Sequence, residues 1–173
     1  MYTKILNLSI ILALVVVVLG AYTRLADAGL GCPDWPGCYG QLIVPDAASE
    51  EYERPLDVAK AWKEMVHRYA ASTLGLAIVG IFLLSVFGKT GQSQSIKLPA
   101  FLLLLVGFQG LLGMWTVTEQ VHPGIVTAHL LGGFSTTALV FWLLLNQRPP
   151  DINIDKVSKS DKVLLVAVIV LLI

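Results

Sequence analysis

The sequence predicts an all-α integral membrane protein, with a four-helix transmembrane bundle plus a truncated fifth helix. Of its 173 residues, 55% are hydrophobic and 14% are charged, whereas soluble domains carry roughly 25% charged residues. Four apolar runs without a charged side chain are long enough to cross a bilayer as helices, namely residues 5–23, 69–87, 98–117 and 123–145. The formal net charge is zero, which gives no reason to expect a nucleic-acid partner.

The first apolar run, residues 5–23, precedes a small-residue stretch that resembles the cleavage site of a secretory signal peptide. The run is longer than the apolar region of such peptides, and Arg24 follows it directly, so we interpret it as an uncleaved membrane helix. Residues 24–63 form a long polar loop. The glycines and prolines between residues 29 and 40 are typical of a tight, irregular turn.

The later connections are shorter. Residues 88–97 form a polar loop, and residues 118–122 form a turn before Pro123, which suits the first turn of a helix. Residues 146–162 are polar again and are interpreted as a linker. The final stretch, residues 163–173, is apolar but would extend only about 16 Å as a helix, so we expect the chain to stop inside a fifth span.

The basic residues predict the orientation in the membrane. With four spans, the N-terminus and the loops 88–97 and 146–162 share one side, and this side carries Lys4, Lys89, Lys97, Arg148, Lys156, Lys159 and Lys162. The turn 118–122, on the other side, has no Lys or Arg. We therefore expect a cytoplasmic N-terminus, a cytoplasmic linker and an external 24–63 loop.

Both cysteines, Cys32 and Cys38, lie in the loop expected to be external. An oxidising environment favours a disulfide between them, with a structural or a redox-cycling role. A metal site is a competing interpretation, although it would need further ligands and the spacing is not CxxC. Free thiols are the third.

Two histidines occupy similar depths in the outer half of the predicted bundle. His67 lies about one turn inside the second span, and His129 lies six residues after Pro123, roughly 9 Å along its helix. We expect these two helices to pack together. Small residues follow each histidine at helical spacing and would leave space for a flat macrocycle, namely Ala71 and Gly75 after His67, and Gly132, Gly133, Thr136 and Thr137 after His129.

This arrangement predicts a haem held by two axial imidazoles. The alternatives are structural histidines at close helix contacts, a proton pathway, or a non-haem metal site. A third histidine, His122, lies in the external turn and is interpreted as a bystander. Gln109 in the third span is a weaker candidate for contact with a polar ligand.

Glu64 shares a helical face with His67 and Arg68. One interpretation is a carboxylate beside the haem edge that moves protons during an oxidation. The other is a salt bridge to Arg68 or Lys63 in the first turn of a helix. Arg24 and Arg68 are candidates for haem-propionate binding or for a structural role.

The sequence resembles the haem A synthase family, whose members assist cytochrome oxidase assembly. The resemblance rests on three motifs that together span most of the chain, namely Thr23-Arg24-Leu25 followed by Gly31-Cys32-Pro33-Asp34-Trp35-Pro36-Gly37-Cys38, then Glu64-x-x-His67-Arg68, then His129-Leu130. It implies oxidation of a ring methyl of haem O to a formyl group. It also implies an eight-helix protein of two similar halves, of which this chain would supply the N-terminal one.

The resemblance implies a role for each matching residue. His67 and His129 would bind haem iron, Glu64 would be the catalytic acid, and Cys32 and Cys38 the external cysteine pair. Residues 1–145 would then form a haem-binding half for the haem O substrate, and a haem b cofactor is expected in the half that is missing here. The implied partners are haem O, membrane lipid, haem O synthase and an electron-transfer partner, and a homo-oligomer of this chain is also compatible.

Two other functions remain open at this stage. One is a b-type membrane cytochrome that transfers electrons through a bis-histidine haem, which would need neither Glu64 nor the cysteine loop. The other is a non-catalytic haem carrier in oxidase assembly.

Overall fold

A computed structural model of the chain describes residues 1–47, 52, 54–88 and 95–147. This part contains four α-helices, α1 (Tyr2–Leu25), α2 (Val58–Phe87), α3 (Lys97–Thr118) and α4 (Pro123–Leu145), and no β-strand beyond one isolated bridge. All four helices are long and apolar enough to cross a membrane. The predicted all-α membrane fold is confirmed, and the predicted fifth span and most of the linker lie outside the described residues.

The four helices form a closed ring of neighbours. α1 packs against α2 and α4, and α3 packs against the same two helices, while neither diagonal pair is in contact within the described residues. The expectation that the two histidine-bearing helices pack together was wrong, because α2 and α4 are diagonal. Their side chains can therefore meet only across the interior of the bundle.

Helix α2 begins well before the second apolar run. Its N-cap is Asp57, whose carboxylate accepts a hydrogen bond from the backbone N–H of Lys60 at 3.0 Å, which satisfies one of the free donors of the first turn. Residues 58–63, expected in the polar loop, are therefore helical. As a result Glu64, His67 and Arg68 lie in the second and third turns of α2.

A second N-cap fixes the start of α4. The imidazole Nδ1 of His122 accepts a hydrogen bond from the N–H of Gly124 at 3.3 Å, and Pro123 occupies the first helical position. His122 is thus a capping residue at the bundle surface.

The apolar core fills the half of the bundle that lies away from the 26–57 loop. Its fully buried members come from all four helices and include Leu6, Ile78, Ile81, Leu102 and Val140. We call the opposite end, where the 26–57 loop and the 119–122 turn lie, the loop end. A second apolar cluster packs the loop onto the start of α2, and it consists of Cys32, Cys38, Tyr39, Val44, Ala61 and Met65.

Candidate functional site

The two histidines lie on diagonal helices toward the loop end of the bundle, His67 on α2 and His129 on α4. Each ring also lies against a glycine of a neighbouring helix. A Cβ added at Gly20 of α1 would lie 2.9 Å from Cε1 of His67, and one added at Gly113 of α3 would lie 3.6 Å from Cε1 of His129.

Both imidazoles retain bonding capacity that the protein does not use. The Nδ1 atoms of His67 and His129 are buried and have no hydrogen-bond partner. Buried polar atoms are nearly always paired in native proteins, and an unpaired one is costly. Within the described residues, these two nitrogens on diagonal helices are therefore free to bond a ligand.

The ligand set suits a haem better than a bare metal ion. Within residues 1–47, 52, 54–88 and 95–147, no group of three His, Cys, Asp or Glu side chains could hold a metal ion. A haem needs only axial ligands from the protein, because the porphyrin supplies the other four. The donor set of His67 and His129 therefore fits a haem.

The small residues beside the histidines differ in what they accommodate. A Cβ added at Gly75 would meet no atom within 4 Å, so space is open there. The space beside Gly132 is instead filled by the side chain of Gln109, and Gly133 lies against Val17. The small residues on α4 therefore make room for side chains of the neighbouring helices α3 and α1.

Glu64 is almost completely buried, with 4% of its surface exposed. One carboxylate oxygen, Oε2, accepts the backbone N–H of Cys32 at 2.9 Å. The other, Oε1, accepts Nη2 of Arg68 at 2.5 Å. The salt bridge to Arg68 considered from the sequence is therefore present, and the carboxylate joins α2 to the cysteine loop.

Arg68 fastens the same loop from the other side. Its Nη1 donates to the backbone carbonyls of Asp34 at 3.0 Å, Pro36 at 3.3 Å and Gly37. One guanidinium thus bonds three carbonyls of the cysteine loop and the Glu64 carboxylate. The sequence left two roles open for Arg68, haem-propionate binding and a structural role. These contacts correspond to the structural role.

Cys32 and Cys38 form a disulfide, with their Cα atoms 4.8 Å apart and both residues fully buried. The predicted disulfide is confirmed, and the metal-site and free-thiol interpretations were wrong. The loop fits closely because Gly31 has no side chain, and a Cβ there would lie 2.6 Å from the backbone of Lys60. The carboxylate of Asp34 holds the turn beside the disulfide. It accepts hydrogen bonds from the backbone N–H groups of Tyr39 and Gly40 at 2.6 and 2.9 Å.

Arg24 lies in the last turn of α1, where a cation complements the helix dipole. Its charge also acts on Asp27, whose pKa lies below its ordinary value chiefly because Lys60 donates a hydrogen bond to it. Arg24 is therefore at the loop end, on the helix whose Gly20 contacts the His67 imidazole.

Sequence reasoning missed two features of the site. Gly20 appeared only as one small residue within an apolar run, and nothing marked it as the seat of the His67 ring. Arg54 is the second feature, because it donates to the Leu30 carbonyl at 2.9 Å and to Oε1 of Gln120 at 3.1 Å. It thereby ties the cysteine loop to the 119–122 turn.

Comparison with known proteins identifies the relatives of this bundle. The Heme A synthase of Shewanella oneidensis is 48% identical over 154 residues, which cover 85% of this chain and 46% of that protein. The Heme A synthase of Agrobacterium fabrum is 28% identical over 179 residues, covering 86% of this chain and 48% of that protein. A Protoheme IX farnesyltransferase of Halobacterium salinarum is 32% identical over 117 residues, 67% of this chain and 24% of that protein.

The chain spans about half the length of the Heme A synthases it matches. The resemblance inferred from the cysteine loop, the Glu64 motif and the histidines is confirmed at the family level. The Cytochrome oxidase assembly protein family (COX15-CtaA) matches residues 3–173, and this chain belongs to that family.

Proposed function

We propose that this chain forms the substrate-binding half of a haem A synthase, which oxidises a ring methyl of haem O to a formyl group. The observation that carries the proposal is the pair of buried, unpartnered imidazole nitrogens of His67 and His129 inside the bundle. The names of the relatives in Shewanella oneidensis and Agrobacterium fabrum support the reaction. The name of the Halobacterium salinarum relative refers to haem farnesylation, which supports a farnesylated haem as substrate.

The oxidation is two successive hydroxylations of the methyl carbon. Each removes two electrons from that carbon, and the resulting aldehyde hydrate loses water to leave the formyl group. The oxygen atom comes either from dioxygen, whose second atom leaves as water with two protons and two electrons from a redox partner, or from water, with two protons released and two electrons passed to such a partner. His67 and His129 would bind the substrate iron and so hold the macrocycle in place relative to the loop end.

Glu64 is the proposed acid–base residue. It is the carboxylate on the His67 helix nearest the pair, three residues from His67 and on the same helical face. The N–H of Cys32 and the guanidinium of Arg68 orient its two oxygens. Glu64 takes up the proton and so removes it from the reacting region. The packed loop excludes water from that region.

The location of the site suits delivery of the substrate within the membrane. We propose that the loop end faces outward in a bacterial inner (cell) membrane, with the N-terminus cytoplasmic, and that haem O arrives through the lipid from a haem O synthase. The other half of a longer protein would hold a haem b cofactor. A plain electron-transfer cytochrome would need the histidine pair but not the buried Glu64–Arg68–disulfide network.

The test is extraction of pigment from the purified protein after co-expression with a source of haem O, followed by chromatography and mass measurement. We expect haem O on this chain, lost in His67→Ala and His129→Ala. His122→Ala is the matched control, because His122 is exposed and caps α4 outside the pair. Recovery of protohaem alone, however abundant haem O is, would overturn the proposal in favour of the cytochrome.

A second arm separates catalysis from binding. In the protein as it occurs in its own cells, Glu64→Gln should keep bound haem O while haem A and its hydroxylated intermediate disappear. Glutamine keeps an acceptor for the Cys32 N–H but loses the ion pair with Arg68, so bound haem O is the control that the site is still formed. Unchanged haem A formation in this variant would exclude Glu64 as the acid–base residue.

A further inference from the structure

Gln109 carries the third unpartnered polar group of the bundle interior near the histidines. It lies on α3, only 9% of its surface is exposed, and its amide Nε2 is buried without a hydrogen-bond partner. The amide occupies the space beside Gly132 on α4, where an added Cβ would lie 1.7 Å from Nε2. Position 132 is a glycine, and this leaves the space that the Gln109 side chain fills.

The amide lies about one helical turn from His129, on the side away from the loop. Gly113, one helical turn after Gln109 on α3, is the residue against which the His129 ring lies. Gly132 follows His129 by three residues on α4, which is also close to one turn. Gln109 therefore lies about one turn deeper in the bundle than His129, and its amide Nε2 has no acceptor within the described residues.

The charge distribution limits what that ligand group can be. Residues 5–23, 69–87, 98–118 and 123–145 contain no charged side chain. A haem carboxylate at the depth of Gln109 would lack a counter-ion, which is costly in a low-dielectric interior. The carboxylates instead belong at the loop end, where the arginines lie. The acceptor facing Gln109 must therefore be a neutral oxygen.

Haem O carries one such oxygen, the hydroxyl of its hydroxyethylfarnesyl substituent, at the edge of the ring remote from the carboxylates. Protohaem has a vinyl group there. We infer that Gln109 donates a hydrogen bond to this hydroxyl and thereby selects haem O over protohaem, an inference that rests on the proposed function. A site built to bond a substrate hydroxyl rejects an analogue without it, because the site's own polar group is then left unpaired.

The test is a comparison of two haems and two proteins. Haem-free protein in lipid nanodiscs is titrated with haem O and with protohaem, and the Soret absorbance gives each Kd. The wild type should bind haem O more tightly, and Gln109→Leu should lower the ratio of the two affinities by about tenfold, the typical value of one buried hydrogen bond. The farnesyl chain contributes equally before and after the substitution, so it cancels from the change in ratio.

Thr136→Val is the matched control. Thr136 is also buried at this level of α4, but its hydroxyl is satisfied by the Gly132 carbonyl at 2.8 Å, so its removal should leave the affinity ratio unchanged. Gln109→Met, which keeps the unbranched shape of the side chain, serves as the second variant if leucine does not fold. Helical circular dichroism and the intact disulfide report folding.

The outcomes separate this inference from the proposed function. An unchanged ratio in both Gln109 variants, or an equal loss for the two haems, would overturn the hydroxyl contact while haem binding through the histidines stands. A wild type with equal affinity for both haems would do the same. A wild type that binds neither haem would refute the proposed function, and the inference with it.

Discussion

Replacement of Arg68 by methionine should release the cysteine loop from α2. The side chains of Glu64 and Arg68 are only 6% and 11% exposed, so the substitution leaves a buried carboxylate without its cation. It also removes the donors to the carbonyls of Asp34, Pro36 and Gly37. Loss of one partner of a buried ion pair costs about 3–5 kcal/mol. Even the lower figure raises the population of the opened loop about 150-fold.

The assay is the rate at which a water-soluble phosphine reduces the disulfide. Cys32 and Cys38 are fully buried, so reduction requires the loop to open, and its rate follows the opening equilibrium when reclosing is fast. Alkylation of the freed thiols and mass measurement give the rate. We expect an increase on the order of 100-fold in Arg68→Met, at unchanged helical content.

Two further variants define the control and the refutation. Lys63→Met removes a neighbouring cation whose ammonium lies 5.7 Å from the centre of the Tyr22 ring and does not pair with Glu64, so it should change the rate less than about fivefold. Arg68→Lys keeps a positive charge but has one nitrogen, so it cannot bond the loop carbonyls and the Glu64 carboxylate from separate nitrogens as Arg68 does, and it should give an intermediate rate. Equal rates for Arg68→Met and Lys63→Met would refute the reasoning.

Two smaller predictions follow from single contacts. Gly20→Ala places a methyl group 2.9 Å from the imidazole against it, and should weaken haem affinity several-fold, whereas Gly75→Ala, which meets no atom within 4 Å, should leave affinity unchanged in the same Soret titration. Lys60 holds the pKa of Asp27 below its ordinary value of 3.8, so carbon-13 titration should find a low value that Lys60→Gln raises. The lowered pKa of Asp27 stabilises the folded state at pH values above the ordinary pKa of the carboxyl. This contribution is lost as the pH falls through the pKa that Asp27 has in the folded state. A carboxyl unaffected by Lys60→Gln would contradict the pairing.

The sequence predicted the membrane-spanning segments well where apolar composition alone determines them. The predicted run 123–145 coincides with α4, and 98–117 nearly coincides with α3. Helix α2 begins eleven residues before the apolar run because Asp57 caps a polar first stretch. Hydropathy identifies residues that suit contact with lipid. It does not identify the polar part of a helix that extends beyond the lipid.

The candidate site was predictable in composition but not in geometry. The histidine pair and the disulfide follow from residue type, depth and compartment. The diagonal placement of α2 and α4 depends on how four similar helices pack, and apolar periodicity does not encode it. Likewise Gln109 and Gly132 are both visible in the sequence, but only their packing shows that one fills the space of the other.

Of the cations at the loop end, Arg24 is the one that we propose as the partner of a haem carboxylate. Within the described residues, the other four each have a partner: Arg54 with Gln120, Lys60 with Asp27, Lys63 with the Tyr22 ring, and Arg68 with Glu64. Arg24 lies one turn beyond Gly20 on the helix that touches His67, and the structure gives its guanidinium no hydrogen-bond acceptor within that part of the chain.

If Arg24 binds a haem carboxylate, the substitution Arg24→Gln should change haem affinity in a specific way. The substitution should weaken binding of haem O by about 3- to 10-fold, as expected for one charge-assisted hydrogen bond. The same substitution should have no effect on a haem whose two carboxylates are methyl esters, because the group that Arg24 would bond is then neutral. Soret titrations of both haems measure the difference. An equal loss with the ester would show that Arg24 acts through the end of α1, and the carboxylate would then have to displace one of the arginine contacts that hold the loop.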